Sequence, residues 1–267
     1  MGLGNHIWAG AKGGVLSILG KIFGTSLSPD KQAKRERARR KVTLPGWSPS
    51  YMRRLGDIKT VVDIGVLNGT PSLYEAFPDA YLVLVEALPQ YRDRAHEIIA
   101  SRKNGGEVHS CAAGAEDSEL EINFLDEHPA RSSMLTHIKS RPKTATKIKI
   151  PQHRLDSLFA DKKFEGDVLL KIDTEGYEYN IILGAPEFLK TVKYVIAETS
   201  VALRHKDSYR FTDLANLMRT NGFEVFDFMT VTRAGHEIPG ASIADTIFIN
   251  SALAAKARVA ARRKAAS

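Results

Sequence analysis

A chain of 267 residues is long enough for one α/β domain with terminal extensions and short for two full domains. Apolar residues at 43% and charged residues at 26% exclude a disordered or fibrous chain, and a single cysteine, Cys111, excludes an internal disulfide and fits a reducing, cytoplasmic compartment. The net charge of +7 is concentrated in two flanks, residues 31–41 with seven Lys/Arg and one Glu and residues 256–264 with five Lys/Arg and no acid, so the body of the chain is net acidic and no nucleic-acid partner is expected.

Residues 1–27 carry a helical stripe: Trp8, Ala11, Val15, Ile18, Leu19 and Ile22. The stripe is too short and glycine-rich for the roughly 20 apolar residues of a membrane span. It also lacks the basic start and cleavage site of a signal peptide. With the basic run behind it, it fits peripheral contact of residues 1–41 with the inner face of a membrane. Packing on the domain or on a second subunit of an oligomer fits as well. The expected organisation is an amphipathic helix with a basic linker (1–46), a folded domain (47–250) and a basic Ala/Arg-rich tail (251–267).

Within the domain, strands are predicted at Thr60–Asp63, Tyr81–Glu86, Glu107–Cys111, Glu119–Phe124, Thr146–Pro151, Val168–Asp173, Tyr194–Thr199, Phe223–Phe228 and Thr246–Asn250. Helices are predicted at Pro71–Ala76, Gln90–Arg102, Tyr177–Leu183 and Thr212–Asn221, with a short one at Leu155–Phe159. This alternation predicts a mostly parallel sheet with helices on both faces. The last two strands have no helix between them and are expected to pair antiparallel. Cys111 lies in the small-residue run CAAG and reads as a buried, reduced thiol.

The stretch VVDIGVLNGTPSLYEAFPDAYLVLVEALPQ places Asp63 at the end of one apolar run and Glu86 at the end of the next, 23 residues later, with Gly65 and Gly69 in the turn between. Open α/β sheets bind ligands at such strand ends, and a carboxylate at this spacing suits ribose hydroxyls. The turn is D-x-G-x-x-x-G and not the G-x-G-x-x-G that seats a pyrophosphate. An acid in the turn suits a cofactor with an ammonium and a sulfonium, which S-adenosylmethionine has. The expected contacts are Asp63 near the methionine end, Glu86 on the ribose, and Gly65, Asn68, Gly69 and Ala112 around them.

The segment DVLLKIDTEGYEYNIILGAPEFL ends a buried strand at Asp173 and follows it with Glu175, Gly176 and Glu178. Three acids in six residues need cations, helix amides or substrate hydroxyls beside them. Asp173 and Glu175 are the stronger functional candidates, while Glu178 suits the first turn of a helix. Glu198 closes the neighbouring strand, VKYVIAETS, and His205 follows on a loop, where it could serve as a base or a substrate contact or lie in solvent.

These pieces together resemble the FkbM-type S-adenosylmethionine-dependent methyltransferases. The matching segments are VVDIGVLNG, LVEALPQ, CAAGAEDSELEINF, ARSSMLT, HRLDSLF, LLKIDTEGYEYNIILGA, VKYVIAET and LMRTNGFEVFDF, in the family's order over about Asp57–Asn250. The family's usual turn, G-A-N-x-G, reads Gly65-Val66-Leu67-Asn68-Gly69, and Ala87 replaces the proline that usually follows the second-strand acid. The resemblance implies a class I methyltransferase (Rossmann-like) fold. Its seven-stranded sheet ends in an antiparallel hairpin, and the extra strands form a small insertion. It also implies methyl transfer, usually to a hydroxyl oxygen of a sugar or other small metabolite.

A hydroxyl nucleophile must shed its proton, and a bare carboxylate is a weak base for that. Either Asp173 or Glu175 accepts the proton directly, or Asp173 and Glu198 hold a divalent metal such as Mg²⁺ that acidifies the hydroxyl. The competing reading in the same fold is a non-catalytic cofactor-binding or membrane-tethered interaction module. A nicotinamide-dependent oxidoreductase is disfavoured by the missing glycine fingerprint, and a base-modifying enzyme by the absence of N/D-P-P-Y.

Overall fold

The computed structural model describes residues 44–124, 146–203, 208–233 and 240–256. The chain divides into two units, Met1–Thr43 and Leu44–Ser267, and all described residues belong to the second. The expected helix of residues 1–27, the basic run 31–41, His205 and the tail from residue 257 lie outside the described residues. The second unit starts at Leu44, and near its start the Gly46 N–H bonds to the carbonyl of Met229 at 2.8 Å.

In chain order the elements are α1 (Pro49–Met52), β1 (Ile58–Ile64), α2 (Pro71–Ala76), β2 (Tyr81–Val85), α3 (Arg92–Ala100), β3 (Gly106–His109), β4 (Ala112–Ala113), β5 (Ser118–Phe124), β6 (Thr146–His153), α4 (Leu155–Leu158), β7 (Asp167–Ile172), α5 (Glu178–Leu183), β8 (Val192–Ser200), α6 (Phe211–Thr220), β9 (Phe223–Arg233) and β10 (Ala241–Asn250). Seven strands form one sheet in the order β3-β2-β1-β7-β8-β10-β9. The neighbours from β3 to β8 pair parallel, while β10 runs antiparallel to both β8 and β9. This is the expected class I methyltransferase topology, with its order reversing at β1 and β7. Ligands bind beyond the strand ends at such a reversal.

The central strands β1, β2, β7 and β8 are buried on both faces, which is why they read as apolar runs and not as alternating patterns. One face packs Val61, Leu84, Leu169 and Ile196 against Met52, Leu73 and Ile98 from α1, α2 and α3. The other packs Val62, Val83, Leu170 and Val195 against Leu155, Ile181 and Leu214 from α4, α5 and α6. Among the described residues no helix is long and apolar enough to cross a membrane.

One predicted strand is corrected. Glu107–Cys111 is not continuous: β3 ends at His109, and β4 leaves to join a second sheet, β4-β6-β5. The small residues make this exit feasible. Gly114 donates its N–H to His153 O at 3.0 Å, and a Cβ at Gly114 would lie 2.4 Å from the Gln152 side chain. Cys111 is buried and free, as expected. The second sheet is the insertion. Its Ala112 and Ile150 pack on Leu88, with Leu67 and Ala87 beside them, so it abuts the turn after β1 and the end of β2.

Candidate active site

Sheet register alone sets the base of the site. Asp63 in β1 pairs with Lys171 in β7, so the two side chains emerge on the same face. Lys171 Nζ lies 3.0 Å from Asp63 Oδ1 and 3.7 Å from Asp173 Oδ2, and it donates to the carbonyl of Gly65 at 2.9 Å. The Lys171 side chain is 4% exposed and that of Asp63 is 0% exposed. Burial opposes the lysine charge, but Asp63 and then Asp173 outweigh it and hold the pKa above the usual lysine range. Asp63 Oδ2 accepts from Thr70 Oγ1 at 2.8 Å and from Tyr74 OH at 2.5 Å. Burial, then the Asp63 charge, push the Tyr74 phenol well up, so it stays a donor. Asp63 therefore ties the strand end to α2 and, through Lys171, to the glycine turn.

That turn closes tightly. Gly65 has φ +78, and a Cβ there would stand 1.9 Å from the carbonyl oxygen of Asp173. Only glycine lets β1 and β7 approach so closely at their ends. Leu67 is also left-handed, with φ 47. Its N–H donates to Glu86 Oε2 at 2.7 Å, while Leu88 N–H donates to Glu86 Oε1, also at 2.7 Å. Burial raises the Glu86 pKa, with the Leu67 and Leu88 amides opposing.

The segment after β7 is held by a second buried acid. Glu178 Oε1 accepts from Thr174 N at 2.9 Å, Thr174 Oγ1 at 3.2 Å and Gly176 N at 3.2 Å. Its Oε2 accepts from Tyr209 OH at 2.6 Å. Burial raises its pKa and these donors work against that shift. Glu175, left-handed at φ 54, rides on the loop so clamped.

Between these parts lies a cleft of about 400 Å³, within the usual range for small-molecule sites. Its lining includes Trp47, Gly65, Asn68, Gly69, Lys171 and Asp173. The Asp173 side chain is 43% exposed and is the accessible carboxylate of this lining.

A family model described as Methyltransferase FkbM domain matches residues 63–225, more than half of the chain. The chain belongs to the FkbM methyltransferase family. It is thus an enzyme that uses S-adenosylmethionine as methyl donor. No curated protein matches the chain. Solved structures to which the methyltransferase is similar include magnesium protoporphyrin IX methyltransferase from Synechocystis PCC 6803 with bound SAM, at 12% identity over 88% of this chain and 91% of that one, with TM-score 0.40. A SAM dependent methyltransferase from Aquifex aeolicus matches at 13% identity over 81% and 97% of the two chains, with TM-score 0.39. TehB from Haemophilus influenzae matches at 6% identity over 76% and 61%, with TM-score 0.44.

The residues of this methyltransferase fit the cofactor in part. Gly65, Asn68 and Gly69 line the cleft. Glu86 accepts the Leu67 and Leu88 amides, one on each oxygen, and the Val66 amide also favours its charged form. Glu86 is only 2% exposed. Ala112 is buried against Leu88, behind the end of β2. Direct contact with Asp63 is not met: its carboxylate is sealed beneath the turn by Lys171, Thr70 and Tyr74, so it shapes the site through those partners.

Of the acids expected to serve the acceptor, Asp173 lines the cleft, whereas Glu175 and Glu198 are not among its lining residues. Glu198 pairs with Asp245 of β10. The expected metal pair is not supported, since among the described residues no group of three or more His, Cys, Asp or Glu is placed to hold a metal ion. Sequence reasoning missed Lys171 and undervalued Glu178. A lysine inside the apolar run VLLKI was the signal, because a buried ammonium needs a buried acid.

Proposed function

We propose that this enzyme methylates a hydroxyl oxygen of a small polyhydroxylated acceptor, such as a sugar, with Asp173 receiving the hydroxyl proton. The observation that carries this reading is the division of labour among the carboxylates. Asp63, Glu86 and Glu178 are buried and occupied with holding loops, while Asp173 reaches the cleft beside the glycine turn. When bound, S-adenosylmethionine supplies a methyl group whose bond to sulfur breaks as the acceptor oxygen bonds to carbon, the electron pair returning to sulfur. The protein's share is alignment and proton acceptance. Holding two reactants in line contributes roughly 7–11 kcal/mol in favourable cases. Asp173 then takes a proton that the oxygen loses late, as it becomes an oxonium-like centre and therefore far more acidic than the free alcohol.

The test is calorimetric titration with S-adenosylmethionine, and separately NAD⁺, on the wild type and Glu86→Ala. Binding of S-adenosylmethionine alone, weakened in the variant by about 1–3 kcal/mol for a lost charge-assisted bond, is the expected result. Acceptors are then screened with a labelled methyl donor, and the label should survive mild alkali as an ether. Folded protein that binds no S-adenosylmethionine, or label carried only on amines or esters, would sink the reading.

A further inference from the structure

Two residues outside the family-matched span of 63–225 are bonded to each other beside the cleft, and one of them, Trp47, is among its lining. Trp47 lines it together with Asp173 and Lys171. Its indole Nε1 donates to Asp245 Oδ2 at 2.9 Å, and the Thr230 hydroxyl donates to the same oxygen. Asp245 lies on β10, the strand beyond β8.

The chain on either side of Trp47 is anchored too. Gly46 N–H bonds to Met229 O at 2.8 Å, Tyr51 OH donates to Asp227, and Met52 is fully buried. The wall is therefore fixed to β9 and β10 and does not depend on the turn that seats the cofactor. Asp245 spends one oxygen on Trp47 and Thr230, and its Oδ1 makes no hydrogen bond among the described residues. Burial raises the Asp245 pKa and nearby Asp173 adds to that, while Thr230, Trp47 and Lys171 oppose. A carboxylate so placed gains from a hydroxyl donor.

Trp47 lines the same cleft as the glycine turn but is tied to a different part of the sheet. Glu86 follows β2, on one side of β1, while Trp47 is tied to β10, beyond β7 and β8. Asp173 stands between them at the end of β7. An aromatic face beside a carboxylate is also chemically specific. The face suits the C–H side of a sugar ring, and the carboxylate suits an equatorial hydroxyl at the ring's rim.

We propose that Trp47 and Asp245 form the acceptor subsite, with the indole packing on the apolar face of a neutral saccharide ring and Asp245 Oδ1 accepting one of its hydroxyls, so that a neighbouring hydroxyl meets Asp173. This rests on the methyl-to-hydroxyl reading above and adds to it the ring's seat and chemical class.

The test uses the full chain and four proteins: wild type, Trp47→Phe, Trp47→Ala and Asp245→Asn. S-adenosylhomocysteine affinity is measured by calorimetry, and labelled methyl transfer is followed to a panel of methyl glycosides of common hexoses and deoxyhexoses. Trp47→Phe keeps an aromatic face and Asp245→Asn keeps an acceptor for Trp47 and Thr230, so both should fold if Trp47→Ala does not. Expected are S-adenosylhomocysteine affinities within about twofold of wild type, with KM for the best glycoside raised about tenfold or more in Trp47→Ala and Asp245→Asn and less in Trp47→Phe. Unchanged KM in all variants would overturn the subsite, and so would a tenfold loss of S-adenosylhomocysteine affinity, which would assign Trp47 to the cofactor. A wild type that binds S-adenosylhomocysteine but methylates no glycoside would overturn the saccharide class. A folded wild type that binds no S-adenosylhomocysteine would instead defeat the underlying reading.

Discussion

Replacing Lys171 with Met gives the most direct test of how the site is held together. The ammonium and the Asp63 carboxylate are 3.0 Å apart, and both side chains are essentially out of solvent. At an effective dielectric of about 20 the gross attraction at that distance is about 5–6 kcal/mol. Much of it offsets the desolvation of both ions, so the pair is weak evidence of net stability by itself. Removing one partner is different, because the other charge stays buried. Thr70 and Tyr74 continue to serve Asp63 Oδ2, but Oδ1 loses its ion-pair partner and the Gly65 carbonyl loses its ammonium donor. The expected cost is about 3–5 kcal/mol, read from urea unfolding by linear extrapolation. The double variant Lys171→Met/Asp63→Asn leaves no buried charge of this pair and keeps an acceptor for Thr70 and Tyr74. It should recover about half of the loss, and the double-mutant cycle should show a coupling of at least about 1 kcal/mol. A loss below about 1 kcal/mol for Lys171→Met, or a double variant less stable than the single, would refute the reasoning.

Two further outcomes are expected. Leucine at the left-handed Leu67 carries a backbone penalty that asparagine largely avoids. Leu67→Asn and Leu67→Ala both lose the same packing, so the Asn variant should be the more stable by about 0.5–1 kcal/mol, and equal midpoints in urea would show that the turn relaxes instead. Burial lifts the Cys111 thiol from 9.0 to about 11. Between those values the unfolded chain releases the proton that the native chain retains, so stability should fall as pH rises from 9.0 to about 11. Alkylation of native protein at pH 8 should then track unfolding, and rapid labelling of folded protein would contradict the burial.

Much of the fold was legible because its signals are local. The apolar runs of β1, β2, β7 and β8 have no competing helical period, and Pro71 and Gly184 mark helix ends within a few residues. The break between β3 and β4 was not legible, since EVHSCAAG reads as one run. What ends β3 is the pairing of Ala112 and Ala113 with Gln152 and His153, some forty residues on. The site divided in the same way. Strand-end acids were readable at Asp63, Glu86 and Asp173. Their burial was not, because Asp63 is sealed by a lysine contributed from another strand, and the partners of Trp47 lie near the other end of the chain. Spacing says that a carboxylate stands at a strand end, whereas its exposure depends on what the neighbouring strand brings.

That distinction has a consequence for the chemistry. A sulfonium loses its charge as its methyl leaves, so a cleft with several uncompensated carboxylates would favour the charged ground state over the transition state. Here Asp63 is offset by Lys171 at 3.0 Å, and the same ammonium lies 3.7 Å from Asp173. Glu86 and Glu178 are turned onto backbone amides and, for Glu178, onto Tyr209. The acids that crowd the motifs in sequence are thus largely neutralised in the fold. Asp173 is left in the cleft with half a partner: close enough to Lys171 to be oriented, and exposed enough to receive a proton. Lys171 accordingly serves two ends at once, fixing the glycine turn through Gly65 and offsetting the charges of Asp63 and Asp173.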